Sequence, residues 1–247
     1  MIYFISDIHL GYYSGEKNKA IERLLVSFFD AIAQRCQVLV IAGDLFDFWF
    51  DYRFVVPKHF FKTISKLYEL KEKGIEIIYL MGNHDFGHYT FFSEELGIAV
   101  IEEDLEREFF GKKFYISHGD GKIQGDFGYR ILKSILRNGF SRSLFRLIHP
   151  DLGILIAKNS SHKSRSYTTR RAQKDFDSLF EFAKLKIDEG FDYVIMGHSH
   201  KSEFRSYKNG YYVNLGDWLS NPLAGSFDGK EMQLVPISKI IENKIKA

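Results

Sequence analysis

Five short apolar runs in this sequence each end in a cluster of Asp, Asn or His residues. The runs cover residues 2–6, 38–42, 75–81, 113–117 and 193–196, and the clusters that follow them are Asp7-Ile8-His9, Gly43-Asp44, Gly82-Asn83-His84-Asp85, His118-Gly119-Asp120 and Gly197-His198-Ser199-His200. Apolar runs of this length are typical of buried strands when turn-forming residues bound them. We therefore expect five strands whose ends carry residues of the types that bind metal ions.

Segments with helical periodicity lie between these runs. Residues 58–73 are amphipathic and end at Gly74, and residues 19–33 place five apolar side chains on one face: Ile21, Leu24, Leu25, Phe28 and Ile32. Strands that alternate with helices predict βαβ units. After residue 95 the pattern changes to short strands at 99–101, 106–110 and 113–117, and a further strand is expected at 211–214. The pattern as a whole predicts an α/β fold with a second sheet.

The composition fits one folded domain spanning residues 1–247. With 45% apolar and 16% aromatic residues, 247 residues are enough to bury a substantial core. The chain has one cysteine, Cys36, which excludes a disulfide framework and a cysteine-based zinc site and predicts a small core residue. No apolar run approaches the roughly 18 residues of a membrane helix, so we expect a cytoplasmic protein.

Positive charge is concentrated in one part of the chain. Residues 127–174 contain eleven Lys or Arg and one acid, Asp151, whereas the rest of the chain carries 23 bases and 31 acids. Residues 127–187 are also rich in aromatic residues and leucine, and they interrupt the α/β alternation. We interpret them as a helical cap inserted into the domain, and the charge predicts an anionic partner. A solvated helical face is the alternative.

The polar clusters should meet at one site, because ligands of open α/β sheets bind beyond the carboxyl ends of strands. Asp7 and His9, like His198 and His200, are two residues apart, so in an extended chain each pair would face one side and could bind a single ion. A single His at a strand end is more often hydrogen-bonded than metal-bound, but five such clusters favour metal.

The candidate ligands are too many for one ion. They are Asp7, His9, Asp44, Asn83, His118, His198 and His200. Two ions that share one carboxylate use the whole set, and Asp44, which stands alone after its strand, is the natural bridge. A mixture of imidazole and oxygen donors without thiolate suits manganese, iron or zinc, and we expect two divalent ions, with Mn²⁺ as the preferred metal.

These blocks resemble the signature of the calcineurin-like metallophosphoesterases: Asp-x-His, Gly-Asp, Gly-Asn-His-Asp, His and Gly-His-x-His, which span residues 7–200 here. The resemblance implies a four-layer α/β/β/α sandwich with a two-metal site. It assigns one ion to Asp7, His9, Asp44 and His200, and the other to Asp44, Asn83, His118 and His198.

Within that superfamily the chain most resembles the UDP-2,3-diacylglucosamine pyrophosphatase (LpxH) family of lipid A biosynthesis. The similarity rests on Ser-Asp-Ile-His-Leu at Ser6, Gly-Asp-Leu-Phe-Asp-Phe-Trp at Gly43 and His-Gly-Asp at His118. It implies hydrolysis of the substrate to UMP and 2,3-diacylglucosamine 1-phosphate. The positions that it implies for substrate binding are Asn83, His84, Asp126, Tyr129, Ser164, Thr168, Arg171 and His198.

One position departs from that family, whose best-known members have Arg where this chain has His84. We assign His84 to contact phosphoryl oxygens and Asp85 to orient His84. For Asp85 and Asp120 the alternative is a loop carboxylate with only structural hydrogen bonds. Asp47, Trp49 and Trp218 are expected to support the site or the core without touching the metal.

Three other functions fit parts of the pattern. A phosphodiesterase or phosphomonoesterase acting on a soluble nucleotide would use the same metals without needing an aromatic, basic cap. A nuclease would explain the basic segment, although no nucleic acid is expected as a partner, and a non-catalytic scaffold would not need the full ligand set. We also expect weak contact between Arg137, Arg142 and Arg146 and an anionic membrane at its cytoplasmic face.

Overall fold

The computed structural model of the protein describes residues 1–122, 127–156 and 177–245. Its strands, in chain order, are β1 (Ile2–Ile5), β2 (Val38–Ala42), β3 (Glu76–Leu80), β4 (Ala99–Ile101), β5 (Leu105–Phe109), β6 (Lys112–Ile116), β7 (Tyr193–Met196), β8 (Glu203–Tyr207), β9 (Gly210–Asn214), β10 (Leu223–Phe227) and β11 (Met232–Pro236). The predicted strands are all present, with ends that differ from the predictions by at most one residue.

Within the described residues the strands form two sheets. The first has the order β11-β10-β1-β2-β3-β4, and the second has the order β5-β6-β7-β9-β8. Strands β1 to β4 are parallel, as are β6, β7 and β9, while β10, β11, β5 and β8 run antiparallel to their neighbours. The polar clusters therefore follow the carboxyl ends of parallel strands in both sheets.

Three helices cover the outer face of the first sheet. They are α1 (Gly15–Ile32), α2 (Phe61–Glu72), which continues a 3₁₀ turn at Lys58–Phe60, and a C-terminal helix at Ile237–Ile245. Leu25, Phe28 and Ile32 of α1 are buried against this sheet, which confirms the predicted apolar face. Cys36 is buried in the same cluster, as expected for a small core residue.

The two sheets pack face to face. Phe4 and Val40 of the first sheet and Phe114 and Val213 of the second belong to one buried cluster, and the rings of Phe4 and Phe114 stack with centroids 5.7 Å apart. Alternate side chains of β1 thus face two different cores, because successive residues of a strand point to opposite faces. Burial on both faces explains why these strands read as continuous apolar runs.

A helical segment at residues 177–188 covers the outer face of the second sheet. Its buried residues Leu179, Ala183 and Ile187 pack against Val194 and Tyr212. The four layers are therefore α/β/β/α, as the resemblance implied. Residues 177–187, which were predicted as the last part of the cap at 127–187, thus pack against the second sheet, and the bounds of the cap stay a prediction.

The described part of the insertion consists of helices α3 (Phe127–Arg137) and α4 (Gly139–Phe145), followed by helical residues 150–156. Phe145 packs into an aromatic cluster with Phe48 and Phe50, its ring centroid 4.6 Å from that of Phe50. Phe140 and Leu147, by contrast, are 77% and 82% exposed. The insertion is thus anchored on the core and also presents apolar side chains to solvent.

None of the helices in the described ranges has both the length and the apolar character needed to cross a membrane.

Candidate metal centre

The loops after five parallel strands meet at one edge of the two sheets. Backbone hydrogen bonds join them directly: His9 N donates to Asp44 O at 3.0 Å, and Gly197 N donates to His118 O at 3.0 Å. His198 N donates to the Asp7 carboxylate at 2.9 Å, which connects the two sheets. The predicted convergence of the polar clusters is confirmed.

The backbone at these positions is left-handed. The φ angles are 53° at Asp7, 48° at His9, 53° at Asp44, 66° at His198 and 59° at His200. The extended geometry expected for the Asp7/His9 and His198/His200 pairs is therefore wrong. A left-handed conformation costs an ordinary residue roughly 1–2 kcal/mol, and such strain is concentrated at functional sites.

One group of side chains surrounds the Asp7 carboxylate. Asp7 Oδ1 lies 3.3 Å from His200 Nε2 and 3.5 Å from His9 Nε2, and the two imidazole nitrogens are 3.3 Å apart. Asp44 Oδ2 is 3.6 Å from His9 Nε2. These four side chains are the ones that the resemblance assigned to the first ion.

A second group lies on the other side of Asp44. Asp44 Oδ2 is 3.3 Å from His118 Nε2, and Asn83 Oδ1 is 3.0 Å from both His118 Nε2 and His198 Nδ1. The Asp44 carboxylate thus stands between the two groups, where a bridging ligand is required. The fold brings together all seven predicted ligands.

His198 and His200 face different groups. His200 lies with Asp7 and His9, while His198 lies with Asn83 and His118. The pairing suggested by their two-residue spacing is therefore wrong, whereas the resemblance had assigned these histidines to different ions.

Two buried carboxylate oxygens show that the donor set fits divalent ions. Asp7 Oδ1 and Asp44 Oδ2 accept no hydrogen bond within the described residues, although other atoms of both carboxylates do. A buried carboxylate oxygen without a donor is costly unless a cation compensates it. His118 Nδ1 lies 2.9 Å from Ala42 O, so it donates there and leaves Nε2 free as a ligand.

Close backbone approach brings the loops into ligand distance. A Cβ atom on Gly82 would lie 2.1 Å from Asp44 Oδ1, and one on Gly43 would lie 2.5 Å from His118 Nδ1. Gly43 also has a φ of 89°. Both positions require glycine, because any side chain would push a neighbouring ligand away.

The electrostatics of the site favour a cation. Burial alone would raise the pKa of Asp44, but the charges of His118 and His84 reverse this and hold the pKa of its carboxyl far below the usual range. Burial would lower the pKa of His118, yet Asp44 raises it to about 10. Burial and the neighbouring His118 lower the pKa of His198 to about 4. A proton on His118 thus occupies a place where positive charge is stabilised.

His84 borders the centre on the side of His9. Its backbone N donates to Asp44 Oδ1 at 2.8 Å, and its ring Nδ1 lies 3.2 Å from Asp47 O and 3.6 Å from Asp47 Oδ1. A ring nitrogen of His84 is within 4.8 Å of ligand atoms of His9 and Asp44. Burial lowers the pKa of His84. Asp47 therefore orients the His84 ring.

Asp85 has a different role from the one predicted. Its carboxylate accepts hydrogen bonds from Gly82 N at 2.7 Å, Leu45 N at 3.0 Å and Tyr79 Oη at 2.5 Å, and it makes no described hydrogen bond to the ring of His84. The expectation that Asp85 orients His84 is therefore wrong. Asp85 ties the two loops that carry Asp44 and Asn83, and burial together with the Asp44 charge raises its pKa to about 6.

Asp104 was not identified from the sequence. Its carboxylate accepts hydrogen bonds from Ser117 Oγ at 2.6 Å, from Lys122 Nζ at 2.5 Å and from the Tyr115 hydroxyl, so it contacts both ends of the loop that carries His118. Nothing in the sequence around Asp104 marks this role, since a single acid before a short strand is common on protein surfaces.

The side chains of the remaining predicted substrate contacts lie outside the part of the protein that the structure describes. Tyr129 lies on α3, and its side chain is outside the described set. Asp126, Ser164, Thr168 and Arg171 lie outside the described residues. Their assignment stays a prediction from the resemblance.

A family model described as "Calcineurin-like phosphoesterase" matches residues 1–202 of this chain. The chain is 30% identical to a UDP-2,3-diacylglucosamine hydrolase of Porphyromonas gingivalis, over 94% of this chain and 96% of that protein. Proteins of the same name from Haemophilus influenzae Rd and Pseudomonas fluorescens Pf0-1 are 28% and 26% identical, over 89% and 96% of this chain and 91% and 95% of theirs. A solved archaeal phosphodiesterase aligns over 95% of this chain and 98% of its own, with a TM-score of 0.48 and 14% identity.

The chain belongs to the calcineurin-like phosphoesterase family, because the family model covers most of its length. It is a metal-dependent hydrolase, and the clustered carboxylates and imidazoles around Asp44 are the candidate ligands for its divalent ions.

Proposed function

We propose that this protein hydrolyses the pyrophosphate bond of UDP-2,3-diacylglucosamine to give UMP and 2,3-diacylglucosamine 1-phosphate. The observation that carries this proposal is the extent of the similarity to relatives named UDP-2,3-diacylglucosamine hydrolase, which covers 94% of the chain in one case. A similarity limited to the metal motifs would support only a phosphoesterase. Here it also runs through the insertion, where substrate-specific contacts are expected.

In this proposal, Asp7, His9, Asp44 and His200 hold one divalent ion, and Asp44, Asn83, His118 and His198 hold the other. Bound ions of this kind supply Lewis-acid stabilisation of phosphoryl charge and activate water for attack. Mn²⁺ is the proposed metal, because four of the seven ligands are imidazoles, which Mg²⁺ disfavours. The protein contributes two fixed sets of donors that share the Asp44 carboxylate.

His84 is proposed to contact the phosphoryl oxygens. Its Nδ1 donates to Asp47 O, which leaves Nε2 for the substrate. Nε2 carries a proton only when the ring is charged, and an anionic phosphoryl group beside it favours that state because opposite charges raise the pKa of an imidazole. His84 then stabilises developing negative charge on the oxygens. Asn83 and His198, which border the second group, are proposed as further substrate contacts.

The insertion is proposed to hold the diacylglucosamine part of the substrate. Asp126, Tyr129, Ser164, Thr168 and Arg171 are the proposed polar contacts, and the apolar side chains of residues 127–156 are proposed to cover the acyl chains. Phe140 and Leu144 support this role, because they are exposed in the described structure and available to an apolar ligand.

We also propose that the protein contacts a membrane. The arginines that were expected to make this contact point towards the protein core instead. Arg137, Arg142 and Arg146 donate hydrogen bonds to backbone carbonyls of the core. We propose that the exposed apolar residues Phe140 and Leu147 make the contact, at the inner face of the cytoplasmic membrane.

The test is an assay of the purified, Mn²⁺-loaded protein on four substrates: UDP-2,3-diacylglucosamine, UDP-glucose, a cyclic nucleotide diester and single-stranded DNA. We expect rapid release of UMP from the first substrate only. Rapid turnover of the cyclic diester with little UMP release would favour a soluble-nucleotide phosphodiesterase. Equal turnover of the DNA would favour a nuclease, and no turnover of any substrate with metal bound would favour a scaffold.

A further inference from the structure

Arg137, the last residue of α3, reaches from the insertion into the metal centre. Its side chain is 13% exposed, and its guanidinium donates to Glu102 O at 2.6 Å, Met81 O at 3.1 Å and Gly82 O at 3.2 Å. Met81 and Gly82 immediately precede Asn83, a proposed ligand. One arginine thus satisfies carbonyl groups from the ends of two neighbouring strands, β3 and β4.

The same helix also contacts the loop that carries His118. Lys133 Nζ lies 2.7 Å from the buried Asp120 carboxylate and donates to Asp120 O at 3.3 Å, while Arg137 Nη2 lies 3.8 Å from that carboxylate. Burial would raise the pKa of Asp120, but His118, Lys133 and Arg137 lower it to about 2. Asp120 is therefore a buried anion that the insertion neutralises.

The position of the Gly82 peptide determines where Asn83 points. Gly82 has no room to shift towards Asp44, since even a Cβ would meet Asp44 Oδ1 at 2.1 Å, and its N–H is held by Asp85. Arg137 holds the carbonyl of the same residue. Asn83 Oδ1 lies 3.0 Å from nitrogens of His118 and His198, so a small rotation of this peptide would separate the three side chains.

We propose that Arg137 is a positioning residue of the metal centre, which couples the insertion to the half-site formed by Asn83, His118 and His198. Partners that hold metal ligands in place typically change metal affinity by 10- to 100-fold when they are mutated. This inference does not depend on the identity of the substrate. It implies that anything that displaces α3 weakens metal binding at this half-site.

Arg146 provides a matched control in the same insertion. It also joins the insertion to the core, donating from Nε to Asp51 O at 3.2 Å and stacking 3.7 Å from the ring centre of Tyr89. Tyr89 lies in the loop after β3, six residues beyond Asn83, but the described contacts of Arg146 include neither Met81 nor Gly82 and no residue of the loop that carries His118. A purely structural role in docking the insertion would therefore affect Arg137 and Arg146 variants alike.

The experiment measures Mn²⁺ affinity of the full-length protein by competition with a chromophoric chelator, together with thermal unfolding, for wild type, Arg137→Ala, Arg137→Lys and Arg146→Ala. We expect the weaker of the Mn²⁺ affinities to fall by 10- to 100-fold in Arg137→Ala. Arg137→Lys should lose at least 10-fold, because one ammonium group can neutralise Asp120 but cannot bond three carbonyls in a fixed fork.

Arg146→Ala should bind Mn²⁺ as tightly as wild type, even if its unfolding temperature falls. Wild-type affinity in folded Arg137→Lys would overturn the proposal, as would an equal loss of affinity in Arg146→Ala. If Arg137→Ala does not fold, Arg137→Lys decides the question. Because Mn²⁺ alone is the probe, failure here leaves the proposed hydrolysis intact, and failure of the hydrolysis assay leaves this test unchanged.

Discussion

Asp47 Oδ1 lies 3.5 Å from His9 Nδ1, while His9 Nε2 faces the Asp7 and Asp44 carboxylates. A carboxylate at one imidazole nitrogen holds the tautomer that leaves the other nitrogen free for metal. Asp47→Ala should therefore lower Mn²⁺ affinity by about 10- to 100-fold without unfolding the protein. Competition with a chromophoric chelator measures this loss, and Asp228→Ala, at an exposed turn, is the control. An unchanged affinity would show that His9 is oriented by other contacts.

Asp44 is the side chain on which both ligand groups depend. Asp44→Ala should reduce bound Mn²⁺ to one ion or none per chain and abolish turnover, because neither group keeps its shared carboxylate. Metal content by atomic absorption and UMP release from UDP-2,3-diacylglucosamine provide the two measurements. A folded variant with near-wild-type activity would refute the shared-carboxylate assignment.

Chelation should inactivate the protein, and Mn²⁺ should restore activity better than Mg²⁺. The physical reason is the ligand set, in which His9, His118, His198 and His200 supply nitrogen, whereas Mg²⁺ demands oxygen and keeps several waters. The measurement is activity after EDTA treatment, gel filtration and titration with each ion. Equal recovery with Mg²⁺ would count against imidazole ligation.

His84 separates the two leading activities. In UDP-2,3-diacylglucosamine the leaving group is a phosphate, which is stable as an anion, so His84 acts chiefly as a charge or hydrogen-bond donor, and Arg provides both. His84→Arg should keep much of the kcat on this substrate, while His84→Ala should lose more. On an alkyl phosphodiester, where a proton donor contributes roughly 10²- to 10⁴-fold, both variants should be severely impaired.

The paired measurement is kcat of both variants on UDP-2,3-diacylglucosamine and on a cyclic nucleotide. Two results together would support the phosphodiesterase instead. The kcat on the sugar nucleotide would fall equally in His84→Arg and His84→Ala, and the wild type would prefer the diester.

His88 makes the stability of the protein sensitive to acid. It is 4% exposed, its ring stacks 5.7 Å from that of Trp49, and neither ring nitrogen has a hydrogen-bond partner within the described residues. Burial lowers its pKa to about 3. Between pH 6.5 and 3 the unfolded chain therefore binds a proton at His88 that the folded chain excludes, and stability falls by up to about 1.4 kcal/mol per pH unit.

His88→Phe should remove this component. As the pH falls from 6.5 to 5, the unfolding free energy of the variant should rise relative to that of the wild type by about 2 kcal/mol. Urea unfolding of the metal-free proteins at several pH values measures the difference, and comparison with wild type cancels the other titrating groups. A difference independent of pH would show that His88 takes up its proton equally in the folded and the unfolded protein.

The sequence predicted the strands well, and it located the candidate ligands at the strand ends, because both follow from local patterns. A buried strand such as Val38–Ala42 is a continuous apolar run, and the next polar residue must lie at the sheet edge. The directions of His198 and His200 could not be predicted in the same way. His198 contacts Asn83 and His200 contacts Asp7, and these partners are far from both histidines in sequence.

The basic insertion shows a second limit of sequence patterns. The charge count along residues 127–174 predicts an anionic partner. Arg137 and Arg142 instead contact groups of the protein itself. Arg142 Nη1 lies 3.0 Å from Glu102 Oε1, and Arg137 bonds carbonyl groups that no composition records. These contacts join residues far apart in sequence, so only the three-dimensional packing identifies them.

The left-handed backbone at Asp7, His9, Asp44, His198 and His200 has a consequence for protein engineering. Glycine at these positions would relieve an unfavourable conformation while it removes a side chain that is destabilising without metal. Selection for thermal stability alone would thus tend to accept such replacements. A library screened only for heat resistance would drift towards well-folded proteins that no longer bind metal, so any such screen needs a functional step alongside it.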